Sequence, residues 1–239
     1  MTLGRRLGLL VAATLVSYPL GLAIGHRWLL PALNTLPAYL TMVALLRRGE
    51  RRQAVVAMLV WAVALAAFGT VSFALWPRPV DAAVLNGPGY RDEMFAWILT
   101  GIGRERQPRH FLPQHLGHLA GFVVLSLATA SALSITMGAV LMNFMSFYVA
   151  SLARAGVPAW AVVLLGWQPW AICRVAAFCT LGVVLAEPLL ACVLKYPHGG
   201  LRASRPYLLA AAAGILADWV LKTLLAPTWG TWLRPFLAR

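Results

Sequence analysis

Three histidines fall close together, His110, His115 and His118, in the spacing H-x4-H-x2-H. Imidazole nitrogens suit Zn, Cu or Fe, and Glu93 or Glu105 could add a carboxylate. On a helix His115 and His118 share a face. His110 precedes Pro113 and would have to fold back to join them. The competing reading is a set of histidines at a headgroup interface, capping a helix or meeting lipid phosphate. The H-E-x-x-H pattern is absent, so the usual zinc-protease geometry is not signalled.

Four further ionisable residues lie inside or at the edge of apolar sequence: Arg174, Glu187, Asp218 and Lys222. A charge in a membrane span is costly and normally faces the bundle interior. Asp218 and Lys222 stand at i and i+4, so they can pair on one helix. Arg174 and Glu187 are too far apart to pair that way and are expected to find partners on other elements. Two readings compete: a transport or lipid-headgroup pathway, and interhelical ion pairs with long side chains snorkelling at the ends. Glu187, just before Pro188, also suits an interfacial place. Asn143, in the run Leu141-Met142-Asn143-Phe144, is expected to hydrogen-bond a neighbouring helix.

Other chemistries are not signalled. There is no GxSxG, P-loop or GxGxxG, and no pair of acids within one span. No polar segment is long enough to form a nucleotide-binding domain, so any ATP would be bound by another chain. The three cysteines, Cys173, Cys179 and Cys192, lie in apolar sequence without CxxC. They read as small apolar residues, although Arg174 beside Cys173 could favour a thiolate.

The elements that must hold these residues follow from composition. Of the chain, 61% is hydrophobic and only 11% charged, with mean hydropathy +0.76. Soluble domains average nearer one quarter charged. The apolar runs are continuous rather than alternating, which excludes a β-barrel and points to an all-α, polytopic helical integral membrane protein. The formal net charge of +13 comes almost entirely from arginine at the edges of apolar runs. That pattern suits orientation and headgroup contact. It lacks the basic stripe with exposed aromatics of a nucleic-acid groove, so no nucleic-acid partner is expected.

Taken in order, residues 1–76 are expected to form three spans, over 7–24, 28–46 and 54–76. Arg47, Arg48, Arg51 and Arg52 lie between the second and third and put that loop on the cytoplasmic side. The N-terminus is then cytoplasmic too. Residues 77–117 read as an extracytoplasmic loop holding four of the seven acids. Within it, residues 90–102 form a short amphipathic helix, with Met94, Trp97, Ile98 and Ile102 on a face that could lie on the membrane surface. Residues 118–239 hold the C-terminal spans. The run 118–152 would be about 50 Å long as one helix, against about 30 Å of hydrocarbon. It either tilts or turns near Ser134 to Gly138. The run 160–194 is broken at Trp167-Gln168-Pro169-Trp170, with a half-helix or re-entrant piece before the break and a full span from about Ala171 to Leu194. The last span runs from Pro206 to Ala226, and Trp229, Trp232 and Arg234 form an interfacial tail. The count is six spans, or seven to eight if a long run doubles. With one run doubled, Lys195, Arg202 and Arg205 fall inside, which fits the charges better.

The function expected on these grounds is an integral subunit of a larger complex. It would be permease-like or membrane-anchoring, without intrinsic nucleotide hydrolysis, in a bacterial cytoplasmic membrane. Its partners would be membrane lipids and other protein subunits. The alternative is an intramembrane metal-dependent enzyme, or a protein with a transition-metal cofactor, built on His110, His115, His118 and Glu93.

Overall fold

The computed structural model describes residues 2–103, 107–196 and 200–238, apart from the side chain of Leu201. Arg104, Glu105, Arg106 and His198 lie outside the described residues. So does the suggestion that Glu105 supplies a metal ligand.

Among the described residues ten helices follow one another: α1 (Leu3–Ile24), α2 (Leu29–Leu46), α3 (Arg51–Leu75), α4 (Pro77–Ala83), α5 (Gly87–Thr100), α6 (Pro108–Thr129), α7 (Ala132–Arg154), α8 (Ala159–Leu165), α9 (Pro169–Leu194) and α10 (Gly200–Leu237). Among the described residues, seven are long and apolar enough to cross a membrane: α1, α2, α3, α6, α7, α9 and α10. The protein is a polytopic helical membrane protein. Its surface reverses the pattern of a soluble fold. Leu20, Val63, Val71, Val163 and Leu224 point outward, while Asn34, Ser134, Asn143, Asp218 and Lys222 are buried. Lipid solvates the former, and the bundle must satisfy the latter.

The middle of the bundle is α7, which packs on α2, α3, α5, α6 and α9. Asn143 on it joins three other helices. Its Nδ2 donates to Asn34 Oδ1 on α2 at 2.9 Å, and Asn34 Nδ2 donates to Ser17 Oγ on α1 at 2.7 Å. The Tyr18 hydroxyl lies 3.1 Å from Asn143 Oδ1 and 3.0 Å from the Leu65 carbonyl on α3. The expected interhelical role of Asn143 is thus observed. Gly69 on α3 makes room for it: a Cβ there would sit 2.6 Å from the Tyr18 hydroxyl and 2.8 Å from Ser146 Oγ. Gly69→Val is therefore expected to destabilise the bundle by about 1–3 kcal/mol through overpacking. SDS-induced unfolding in mixed micelles measures it, and a cost near zero would mean that Tyr18 is not clamped there.

Four boundaries differ from expectation, each for a physical reason. The long run does turn, but at Ala130–Ser131 rather than near Ser134 to Gly138. Both residues take positive φ, 48° and 65°. Hydroxyls satisfy the turn locally: Ser131 Oγ donates to the Gly182 carbonyl at 2.6 Å, Ser126 Oγ to Ser134 Oγ at 2.7 Å, and Thr129 Oγ1 accepts the Leu133 N–H at 3.1 Å. No charge is needed because the turn is held against α9. Second, α6 begins at Pro108, so the histidines belong to a membrane helix and not to an outer loop. Third, the apolar face of α5 does not lie on the membrane. Met94, Trp97 and Ile98 are buried against Tyr148 and Leu152 of α7 and Trp229 and Leu233 of α10, and Ile102 alone of that face is exposed. Fourth, α10 runs unbroken through Pro206, Pro227 and Pro235. Membrane helices tolerate a lost N–H that a soluble helix would not. Trp229 is accordingly a packing residue, donating through Nε1 to the Leu165 carbonyl at 2.9 Å, while Trp232 is exposed. The break at 167–170 stands as expected, with the seven-residue α8 before it.

Candidate intramembrane binding site

Helices α6, α9 and α10 bring four ionisable side chains together. Gly214 lets α10 approach α9: a Cβ there would meet Ala177 Cβ at 3.0 Å and the Cys173 carbonyl at 3.3 Å. One turn further along α10, Asp218 meets Arg174. Arg174 Nε donates to Asp218 Oδ2 at 2.9 Å and Nη2 to Oδ1 at 2.8 Å, a two-pronged pair. The Asp218 side chain is 2% exposed. From α6, His115 Nδ1 lies 3.5 Å from Asp218 Oδ2, longer than a good hydrogen bond. His115 Nε2 lies 3.2 Å from Lys222 Nζ, and that ammonium also sits 4.6 Å from the centroid of the Phe111 ring.

The directions of these contacts define the imidazole. With Lys222 as an ammonium, which can only donate, His115 Nε2 accepts from it and the ring proton falls on Nδ1, facing Asp218. Asp218 thus accepts two N–H groups from Arg174 of α9 and faces the Nδ1 edge of His115 from α6, and Lys222 is engaged by His115 and an aromatic face. The arrangement can bind an ion, pass a proton along the chain of contacts, or fix one polar end of a ligand.

Beside the cluster lies a cavity of about 320 Å³ between α3, α5, α6, α7 and α9. Its polar lining includes Asn86, Glu93, Gln114, His115, His118, Gln168 and Arg174, and much of the rest is apolar, including Met58, Phe122, Met142 and Phe178. The volume falls in the range of small-molecule sites.

The residues singled out from sequence therefore separate into three places. Arg174, Asp218 and Lys222 meet around His115, with His118 half-buried on the cavity wall and Glu93 reaching the same cavity from α5. Glu187 is elsewhere, paired with Arg51 of α3, whose Nε lies 2.8 Å from Oε2. Asn143 is in the α1–α2–α3–α7 network. The metal set of the alternative reading is not assembled among the described residues. His110 is exposed near the start of α6, His115 faces Asp218 and Lys222, and among the described residues no three His, Cys, Asp or Glu are placed to hold a metal. The reason is geometric: α6 is helical through Pro113, so His110 does not fold back. Of the cysteines, Cys179 is buried as expected, Cys173 is half-buried and Cys192 is exposed.

Gln168, Phe111 and Arg51 were not singled out from sequence as site residues. Gln168 did carry a signal, a lone amide in apolar sequence directly before a proline that starts a helix. No protein-family model, curated protein or solved structure matches this chain. What the fold and the site define is a class: a polytopic helical membrane protein, seven of whose described helices are long and apolar enough to cross a membrane, with a charged cluster beside a cavity.

Proposed function

We propose that the chain is a permease-like integral membrane protein in which the cavity between α3, α5, α6, α7 and α9 holds a solute in transit. It would work in a bacterial cytoplasmic membrane, with other subunits and without hydrolysing nucleotide itself. The observation that carries this reading is the Arg174–Asp218–His115–Lys222 cluster bordering the cavity. Joining α9 to α10 needs one ion pair at most, and apolar contacts would do it as well. Ionisable groups kept side by side within a membrane bundle mark ion and substrate paths. Seven crossings also support a cytoplasmic N-terminus. Arg47, Arg48 and Arg52 then share a side with Lys195, Arg202 and Arg205, in keeping with the positive-inside rule.

Cysteine accessibility tests it. Gly138 lines the cavity, and a Cβ there meets nothing within 4 Å. With the three native cysteines replaced by Ala, Gly138→Cys is expected to react with a membrane-impermeant maleimide from either side of sealed vesicles. A permease must open its site to both sides. Reaction from one side only would leave a membrane anchor and sink the permease reading.

A further inference from the structure

The cavity is not lined evenly. One wall is the start of α9, a 26-residue helix whose N-cap is Gln168. Trp167, Gln168, Trp170 and Ala171 all border the cavity there, and Arg174 follows one turn on. The first N–H groups of a helix have no partner within it, and the Gln168 side chain does not cap this one. Gln168 is itself 3% exposed, and its amide Nε2 has no hydrogen-bond partner among the described residues. A buried donor left unmade costs about 1–3 kcal/mol, so an acceptor brought to this amide would be bound favourably. The helix dipole, the free amide and a guanidinium held in place by Asp218 all favour negative charge at this spot. From α6, His118 and Gln114 face the same space. Among the described residues the carboxylates nearby are Asp218, which receives Arg174 and faces His115, and Glu93 on α5.

Away from this end the cavity becomes a hydrocarbon slot. Met58 from α3, Ile135 and Met142 from α7, and Phe122 and Phe178 line it. Methionine side chains adapt to a flexible chain without specifying its shape. A compact ion would leave this part of the cavity empty, and a wholly apolar ligand would leave Gln168 without a partner.

We infer that the cavity takes a single-chain amphiphile with an anionic head, seated at the N-terminus of α9 with its chain among Met58, Ile135, Met142 and Phe178. This rests on the permease reading and names its substrate class. The head is a carboxylate or a phosphate monoester, which the site binds by the same donors. The first would come from a fatty acid, the second from a phosphorylated lipid.

Trp61, Trp167 and Trp170 line the cavity, so a brominated chain reports its own arrival by quenching them. Protein in lipid nanodiscs is titrated with bromoundecanoate, bromoundecyl phosphate, bromoundecanol and bromoundecylamine at matched mole fraction in the bilayer. Saturable quenching is expected from the acid or the phosphate at a concentration at least about tenfold below that of the alcohol or the amine, the value of one charge-assisted contact. Whichever anion is tighter identifies the source, and either supports the inference. Gln168→Met, which keeps length and loses the amide, is expected to weaken the anion about fivefold and leave the alcohol unchanged. The comparison among probes on the unmodified protein holds whether or not that variant folds. Equal binding of the alcohol or the amine, or no saturable quenching by any probe, overturns the inference. If Gly138→Cys still reacts from both sides in that case, the permease reading survives it. One-sided reaction removes that reading whatever binds.

Discussion

Asp218→Ala is expected to destabilise the bundle by about 3–5 kcal/mol, the cost of breaking a buried ion pair from one side. The carboxylate accepts two N–H groups from Arg174 and faces the Nδ1 proton of His115. Removing it leaves the guanidinium without its acceptor, and the imidazole without the facing carboxylate, in a low-dielectric interior. Asp218→Asn keeps one acceptor oxygen and should cost less. Arg174→Met together with Asp218→Leu should recover most of the loss, because an apolar replacement of a whole pair is often neutral. SDS-induced unfolding of the four proteins gives the comparison. A loss below about 1 kcal/mol for Asp218→Ala would mean that water reaches the pair and that the cluster is a surface feature. The double variant has a second use. If it is stable yet no longer binds anionic probes, the cluster is retained for the ligand and not for the fold.

How much of this was legible in the chain depends on which residue is asked about. Arg174 and Asp218 stood out because charge in apolar sequence is costly, and that cost is local. Their pairing was not readable, because it depends on α10 meeting α9 at Gly214 and Ala177, a tertiary event. The i, i+4 spacing of Asp218 and Lys222 suggested a pair within one helix. In the fold both residues turn to α6, where His115 stands with Asp218 on one ring nitrogen and Lys222 on the other. The polar residues at the start of α6 read as loop for a related reason. His115 and Gln114 look hydrophilic in a linear window, yet one is buried in the cluster and both line the cavity. The turn at Ala130–Ser131 left almost no mark, since hydroxyls that bond backbone carbonyls replace the charges that usually flag a turn. The α5 face shows the opposite limit. An apolar stripe says that a helix is covered, not whether lipid or protein covers it.

Glu187→Ala is expected to cost about 3 kcal/mol, at the lower end for a buried pair. Arg51 opens α3, and Glu187 lies on α9 directly before Pro188. Their side chains are 11% and 6% exposed. The carboxylate also sits at the N-terminus of α3, where the helix dipole adds to the attraction. Arg51 is further fixed over the Tyr207 ring of α10, 5.7 Å from its centroid. The pair thus ties α3 to α9 while the aromatic contact adds α10, at the opposite end of α9 from the Arg174 cluster. This gives Arg51 a structural task distinct from that of Arg47, Arg48 and Arg52, which are exposed and available to headgroups. Arg51→Ala should therefore match Glu187→Ala in unfolding free energy, and the double variant should cost clearly less than the two losses added together. Arg48→Ala, the control from the same loop, should change stability by no more than about 0.5 kcal/mol. Additive losses, or a control as costly as Arg51→Ala, would show that the arginines act together on the membrane surface and that α3 and α9 are held by apolar packing alone.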